Sequence, residues 1–250
     1  MNNSNKTGPI IEARGLVKKY GFKTVLRNLD LTLEKGDFLA LFGPNGAGKT
    51  TLIRILCSLA YPTSGKVTLA GYDTREERQD LRKIIGVISH HTYLYHHLTA
   101  FENLRFYGRM YGVSDLKERI EELLELVGLK LFAHESVHTF SRGMEQRLSV
   151  ARAIIHDPQI LFLDEPFTGL DQHGAEDFME LLQGFRRQGK TVLMTSHDLD
   201  RGLDLCTHAA ILNAGRLVFQ KDRCQVQAEG FRQIYFERTK TSTPGLSVTS

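Results

Sequence analysis

The chain has 250 residues, 41% of them hydrophobic and 24% charged, with a net charge of +3 from 32 basic and 29 acidic side chains. That length can bury a full core as one large domain or two lobes, and the composition is that of an ordinary globular protein. The near balance of charge gives no ground for a nucleic-acid or anionic-membrane partner. The longest apolar runs are far too short to cross a bilayer, and residues 1–7 contain no apolar secretory segment, so any membrane role is expected to go through a partner. Cys57, Cys206 and Cys224 are odd in number and widely spaced, which fits free thiols rather than a disulfide frame or a zinc site.

Residues 1–8 read as a flexible N-terminus. Apolar runs and near alternation predict strands at 10–13, 25–33 and 38–42. A helix is expected over 52–57, a turn over 62–65, and further strands over 66–70 and 83–88. From about 98 to 156 the pattern becomes helical. Leu116, Ile120, Leu123, Leu124 and Val127 recur at the 3.6 period, and Gly128 stops the run. Such a helix either binds a partner or packs on its own lobe, and the second is the ordinary outcome. Strands return over 160–163, 191–195 and 209–212. Asn213-Ala-Gly215 is a hairpin turn into a strand over 216–219. Residues 226–250 form a C-terminal extension whose Ser- and Thr-rich end reads as disordered. The architecture expected is an α/β core interrupted by a helical insertion.

The run from Gly43 through Pro44, Asn45, Gly46, Ala47, Gly48, Lys49 and Thr50 to Thr51 matches the phosphate-binding pattern G-x-x-x-x-G-K-[ST]. It follows a predicted strand and opens a predicted helix, the context the motif needs. Its glycines let backbone N–H groups turn inward around an anion, and the helix N-terminus adds about half a positive charge. Lys49 can reach the β- and γ-phosphates, and the Thr50 hydroxyl can ligate Mg²⁺. Far downstream, an apolar strand ends in Asp164 and Glu165. At the C-terminal edge of a parallel sheet such carboxylates face the ligand crevice. Asp164 suits Mg²⁺, and Glu165 suits a general base acting on water.

More than a hundred residues separate these motifs, so the helical block between them is expected to be a lobe. It ends in FSRGMEQRL, residues 140–148, which resembles the signature sequence of ABC ATPases. Phosphate loop, signature and paired carboxylates, met in that order along the chain, identify residues of about 10–225 as resembling that family. The implied fold is a P-loop RecA-like ABC ATPase core with an antiparallel β subdomain and an inserted helical subdomain, the ATPase domain covering 9–225 and the insertion about 98–156. The resemblance implies further roles. Tyr20 would stack on adenine, worth ~1–3 kcal/mol, although a core tyrosine at a strand end would look the same. Asp171, in Thr168-Gly-Leu-Asp171, matches the D-loop at a dimer interface. His197 matches the switch histidine that contacts the γ-phosphate. Ser141 and Gly143 open the signature helix, expected here over 147–153, which would close over ATP held by a second copy or a paralogue. ATP and Mg²⁺ are the implied cofactors, and transmembrane permease subunits the implied partners.

Two positions depart from the family pattern. His90 falls where a glutamine usually contacts Mg²⁺ and the attacking water. A neutral imidazole can serve there, so His90 is expected to replace that glutamine, with an inert surface histidine as the alternative. In the signature, Arg142 and Met144 replace a glycine and the glutamine. The stretch 90–112 and the run 140–147 resemble the ATPase subunit of the haem exporter of bacterial cytochrome c maturation. That implies haem export or cytochrome c biogenesis at the cytoplasmic face of the inner membrane. A drug, lipid or polysaccharide exporter ATPase is the alternative within the family. A soluble member acting in translation or repair, or a non-hydrolysing binding module, is the alternative outside transport. Tyr93, Tyr95 and the neighbouring histidines are expected to form the docking surface for a permease helix.

Overall fold

A computed structural model of the chain describes residues 8–240 apart from Glu77, His90 and Val226. Its centre is a six-stranded sheet built on strands that are buried on both faces. β3 (Phe38–Phe42), β7 (Ile160–Asp164) and β8 (Thr191–Ser196) are buried at every position. This is why they read as unbroken apolar runs rather than as alternating ones. With β6 (Ile85–Ser89), β9 (His208–Asn213) and β10 (Arg216–Asp222) the order across the sheet is β10-β9-β3-β8-β7-β6. Every pairing is parallel except the β9–β10 hairpin.

A second, antiparallel sheet of four strands stands beside it. β1 (Ile11–Tyr20) and β2 (Lys23–Leu33) pair with β4 (Ser64–Leu69) and β5 (Tyr72–Asp73) in the order β2-β1-β4-β5. β1 runs well past the predicted 10–13. A bulge around Gly15 (φ +58°), whose N–H donates to Asp30 Oδ1 at 2.7 Å, breaks the alternation there, and the charged far end hides the rest. Helix α1 (Lys49–Leu56) lies between the sheets with Leu52, Ile53, Ile55 and Leu56 buried. Each such side chain contributes ~1.5–3 kcal/mol relative to exposure.

The two faces of the large sheet feed two apolar clusters, as the period of two requires. Leu39, Leu41, Phe162 and Leu193 point towards α1 and the antiparallel sheet. Phe38, Ala40, Phe42, Leu163 and Met194 point towards the helices on the other side.

Those helices include α3 (Ala100–Tyr111), α4 (Leu116–Leu126) and α5 (Arg142–Ile154), the helical block expected between the motifs. α3 starts at a full capping box, Thr99 Oγ1 taking the Glu102 N–H while the Glu102 carboxylate takes the Thr99 N–H. α4 buries Ile120, Leu123 and Leu124 in its own lobe, so its amphipathic face is core.

Three segments differ from expectation. Residues 83 and 84 end a helix, α2 (Arg78–Ile84), rather than starting a strand; Leu81 and Ile85 anchor it from one side, and the sheet register begins only where Ile85 meets Ile160. The signature helix starts at Arg142, five residues before the expected 147, because Ser141 caps it there. The C-terminal extension carries a helix, α8 (Ala228–Thr239), held by the fully buried Phe231. Of the expected flexible start at 1–8 and disordered last dozen residues, 1–7 and 241–250 lie outside the described residues, while Thr239 ends α8.

Candidate nucleotide site

The central strands order the site. β3, β8 and β7 are neighbours and parallel, so their C-terminal ends emerge side by side, with Phe42 opposite Ser196 and Thr195 opposite Asp164. Three segments must therefore meet at this edge: the phosphate loop after β3, the switch segment after β8, and the paired carboxylates at the end of β7.

The loop is held by backbone contacts that only glycine permits. A Cβ on Gly43 would sit 2.2 Å from the carbonyl oxygen of Leu212, and one on Gly48 would sit 2.8 Å from Leu26 Cδ2. Gly46 and Gly48 also have φ of +80° and +111°. The β9–β10 turn ties the loop down, the Gly215 N–H donating to Ala47 O at 3.0 Å and the Arg27 N–H to Gly215 O at 2.8 Å.

Lys49 is buried, and its Nζ donates to Gly43 O at 2.6 Å and stands 3.2 Å from Glu165 Oε1. The Thr50 hydroxyl lies 3.2 Å from Asp164 Oδ1, which also accepts from the Thr195 hydroxyl at 2.8 Å. A lone carboxylate and a hydroxyl at this spacing, both hard oxygen donors, fit a Mg²⁺ ion whose remaining ligands are water and phosphate.

Glu165 has a left-handed backbone, φ +51°, costly for a residue with a Cβ by ~1–3 kcal/mol. Its N–H donates to Thr195 Oγ1 at 3.0 Å, and its Oε2 meets both the backbone N–H of His197 at 3.2 Å and the ring Nδ1 at 2.7 Å. The strained turn aims the carboxyl at the lysine and the histidine together. Thr195 opens the segment read as the switch, but nothing in the linear chain gives it this contact. Its single hydroxyl bridges the two acids, and only the β7–β8 register reveals this.

Ser141, Gly143 and Asp171 gather at a second place. Ser141 Oγ accepts from the Met144 N–H at 3.3 Å at the start of α5, and Asp171 Oδ1 accepts from the Gly174 N–H at 2.8 Å at the start of α6 (Gln172–Arg187). Gly143 and Gly174 face each other closely, so the two helix starts are neighbours. Gln146, in α5, donates to Pro166 O at 3.1 Å and links this region to the turn after Glu165. Arg142 leans on Gly169 and pairs with Glu145 at 3.8 Å.

Tyr20 ends β1, half exposed, with Lys18 Nζ 4.6 Å above its ring. The same hairpin runs on to Val25, which packs on Gly48. His90 lies outside the described residues; Ser89 before it pairs with Asp164 at the sheet edge. The thiol of Cys57, below α1, has its pKa pushed well up, by burial first and then by the charge of Asp164, so it stays neutral.

Comparison with known proteins agrees with this geometry. The model of the family described as ABC transporter matches residues 26–168. The chain is 39% identical over 206 residues to the ABC transporter ATP-binding protein NatA of Bacillus subtilis, covering 81% of this chain and 83% of that protein. It is 36% identical over 211 residues to the linearmycin resistance ATP-binding protein LnrL of the same organism, covering 84% and 68%. It is 39% identical over 211 residues to the Nod factor export ATP-binding protein I of Cupriavidus metallidurans, covering 84% and 70%. Among solved structures, the ATP-binding subunit of an ABC transporter superposes with a TM-score of 0.82 at 28% identity, covering 92% of this chain and all (100%) of that one. A dimeric ATP-binding cassette in a post-hydrolysis state, bound to ADP and Pi, superposes with a TM-score of 0.76 at 27% identity, covering 85% and 98%. With the phosphate loop and the Asp164–Glu165–His197 group meeting at one sheet edge, the chain belongs to the ABC transporter family, as an ATP-binding subunit whose hydrolysis of ATP is coupled to transport.

Proposed function

We propose that this chain powers a membrane exporter of small molecules, with Glu165 as general base and His197 as its partner at the γ-phosphate. The observation that carries the chemical part is the 2.7 Å contact between His197 Nδ1 and Glu165 Oε2, with Lys49 3.2 Å from the other carboxylate oxygen. A polyphosphate would draw the Lys49 ammonium onto its oxygens and free Glu165 to take a proton from water. Thr50 and Asp164 would hold Mg²⁺, with His90 as a further candidate ligand. Tyr20 would stack on the base. Ser141 and Gly143, at the N-terminus of α5, would cover the γ-phosphate of a second subunit, with Asp171 at the same interface.

Export is supported by two relatives that are named for linearmycin resistance and for Nod factor export. Those names favour a drug- or oligosaccharide-type cargo over haem. The haem reading rests on the stretches 90–112 and 140–147 alone, and NatA, LnrL and the Nod factor export protein are not named for haem. A permease partner would place the chain at the cytoplasmic face of the membrane. Among the described residues no helix is long and apolar enough to cross a bilayer. A cleft of about 310 Å³ between the core and the helical lobe, lined by Leu59, Arg82, Tyr93, Tyr111, Arg152 and His156, is the docking place we favour. The exposed Tyr95 and Phe106 rings, 5.0 Å apart, extend it.

Partner capture tests the proposal. Glu165→Gln protein held closed by ATP and Mg²⁺ in solubilised native membranes is expected to bring down an exporter permease. Recovery of cytochrome c maturation proteins would restore the haem reading, and recovery of ribosomes or DNA without a permease would overturn transport.

A further inference from the structure

His197 is two-thirds exposed on its side chain, yet it must hold one position against Glu165 for the 2.7 Å contact to persist. Its position therefore depends on the backbone that carries it, and above all on the residues just C-terminal to it. Ser196 and Asp198 lock the turn through the Ser196 hydroxyl, which donates to Asp198 O at 3.1 Å and accepts the Asp198 N–H at 3.0 Å. Asp198 then caps α7 (Leu199–Leu205), taking the Arg201 N–H at 3.1 Å. The switch turn and α7 are therefore one rigid piece. α7 is only 7 residues long, and a helix that short has little stability of its own.

The C-terminal helix supplies what α7 lacks. Phe231 of α8 is fully buried and packs on Phe42, ring centroids 5.1 Å apart, and on Phe219 at 5.6 Å. Phe42 is the last residue before the phosphate loop, and its ring presses on Gly202 of α7 so closely that a Cβ there would come within 2.5 Å. One residue along α8, Arg232 Nη2 reaches both carboxylate oxygens of Asp200, at 2.6 and 2.5 Å, so the first turn of α7 is pinned to α8. Asn213 Nδ2 fixes the far end of α8 by donating to Arg238 O at 2.6 Å. The pair holds the Asp200 carboxyl below the usual carboxylate range, through the hydrogen bond from Arg232 first, so it stays ionised.

We propose that α8 is a clasp on the catalytic switch, with Arg232 and Asp200 as positioning residues that set where α7 begins and so where His197 meets Glu165. This rests on the reading of Glu165 and His197 as the hydrolytic pair. Arg232 and Asp200 touch no reacting atom. The pair is exposed and adds little to folding stability, so reversing it separates positioning from folding.

The test is steady-state phosphate release by the full chain at varied ATP with Mg²⁺, together with thermal melting. Asp200→Arg is expected to lower kcat three- to ten-fold with KM for ATP within two-fold of the parent and melting nearly unchanged. Adding Arg232→Asp, which restores the pair with its charges exchanged, is expected to bring kcat back to within two-fold. A parental kcat for Asp200→Arg, or a loss that Arg232→Asp does not repair, overturns the clasp. His197→Ala and Glu165→Gln belong in the same series: if they keep the parental rate, the hydrolytic pair itself is wrong, whereas if they lose it while Asp200→Arg does not, only the clasp fails.

Discussion

Glu165 and His197 meet at 2.7 Å, from Oε2 to ring Nδ1, while the other carboxylate oxygen stands 3.2 Å from Lys49. A carboxylate can only accept when ionised, so a general base at this position would take its hydrogen bond from Nδ1 and leave Nε2 to face a ligand. The carboxylate, the histidine and the lysine are carried by the segments that follow three adjacent strands, and each limits the positions of the other two.

Replacing Glu165 by Gln keeps the size and the hydrogen-bonding reach of the side chain but removes its basicity. Turnover is expected to fall by ~10²–10⁴-fold, the usual worth of a general base, with nucleotide binding retained. Phosphate release measured beside direct nucleotide titration checks this; a variant that turns over normally would remove Glu165 from the role.

Gly43→Ala would drive a methyl group against Leu212 O, 2.2 Å from the built Cβ, and neither atom can move without shifting backbone. The loop is expected to leave its anion-cradling shape, so that affinity for ATP drops at least about tenfold, which corresponds to ~1.4 kcal/mol, while the circular dichroism spectrum stays that of the parent. Unchanged affinity would show that the loop relaxes without harm to binding.

Phe162 is fully buried on the face of the large sheet that meets α1. Phe162→Ala removes a whole ring from a close-packed layer and is expected to cost ~3–5 kcal/mol. Urea unfolding followed by circular dichroism gives the number, and a loss below ~1 kcal/mol would mean that the layer collapses into the space.

His156 stacks flat on Tyr111 at 3.9 Å and its Nε2 lies 3.0 Å from Ile85 O. Its pKa is held below the ordinary 6.5, by burial first and also by the positive charge of Arg152. Protonation therefore favours the unfolded chain, and the stability this group contributes is complete above pH 6.5 and lost as pH falls through the folded-state value. His156→Gln is expected to flatten the decline in melting temperature between about pH 7.5 and 5.5, a range the acids do little to shape because they titrate lower. Parallel declines in parent and variant would count against it.

The chemistry of the phosphates was legible in the linear chain because contiguous residues carry it. The loop from Gly43 to Thr51 has its anion-binding character written in local backbone freedom, and Asp164-Glu165 end a short apolar run that reads as a buried strand. The helical lobe was equally visible in the period of 116–127. Other features depend on residues far apart in the chain. Thr195 becomes the bridge between the acids only when β8 lies beside β7 in register. The helical state of residues 83 and 84 is decided by where Ile85 meets Ile160 in the sheet, whereas the start of α5 at Arg142 is a local matter of the Ser141 cap. α8 hides in a polar-looking tail because its core-facing residues are only Phe231, Ile234 and Tyr235, a single turn that is too short to set up a repeating period. Local dihedral preference and apolar spacing are properties of neighbours in sequence. The union of lysine, carboxylate and histidine at one sheet edge arises from strand order, which exists only once the chain has packed.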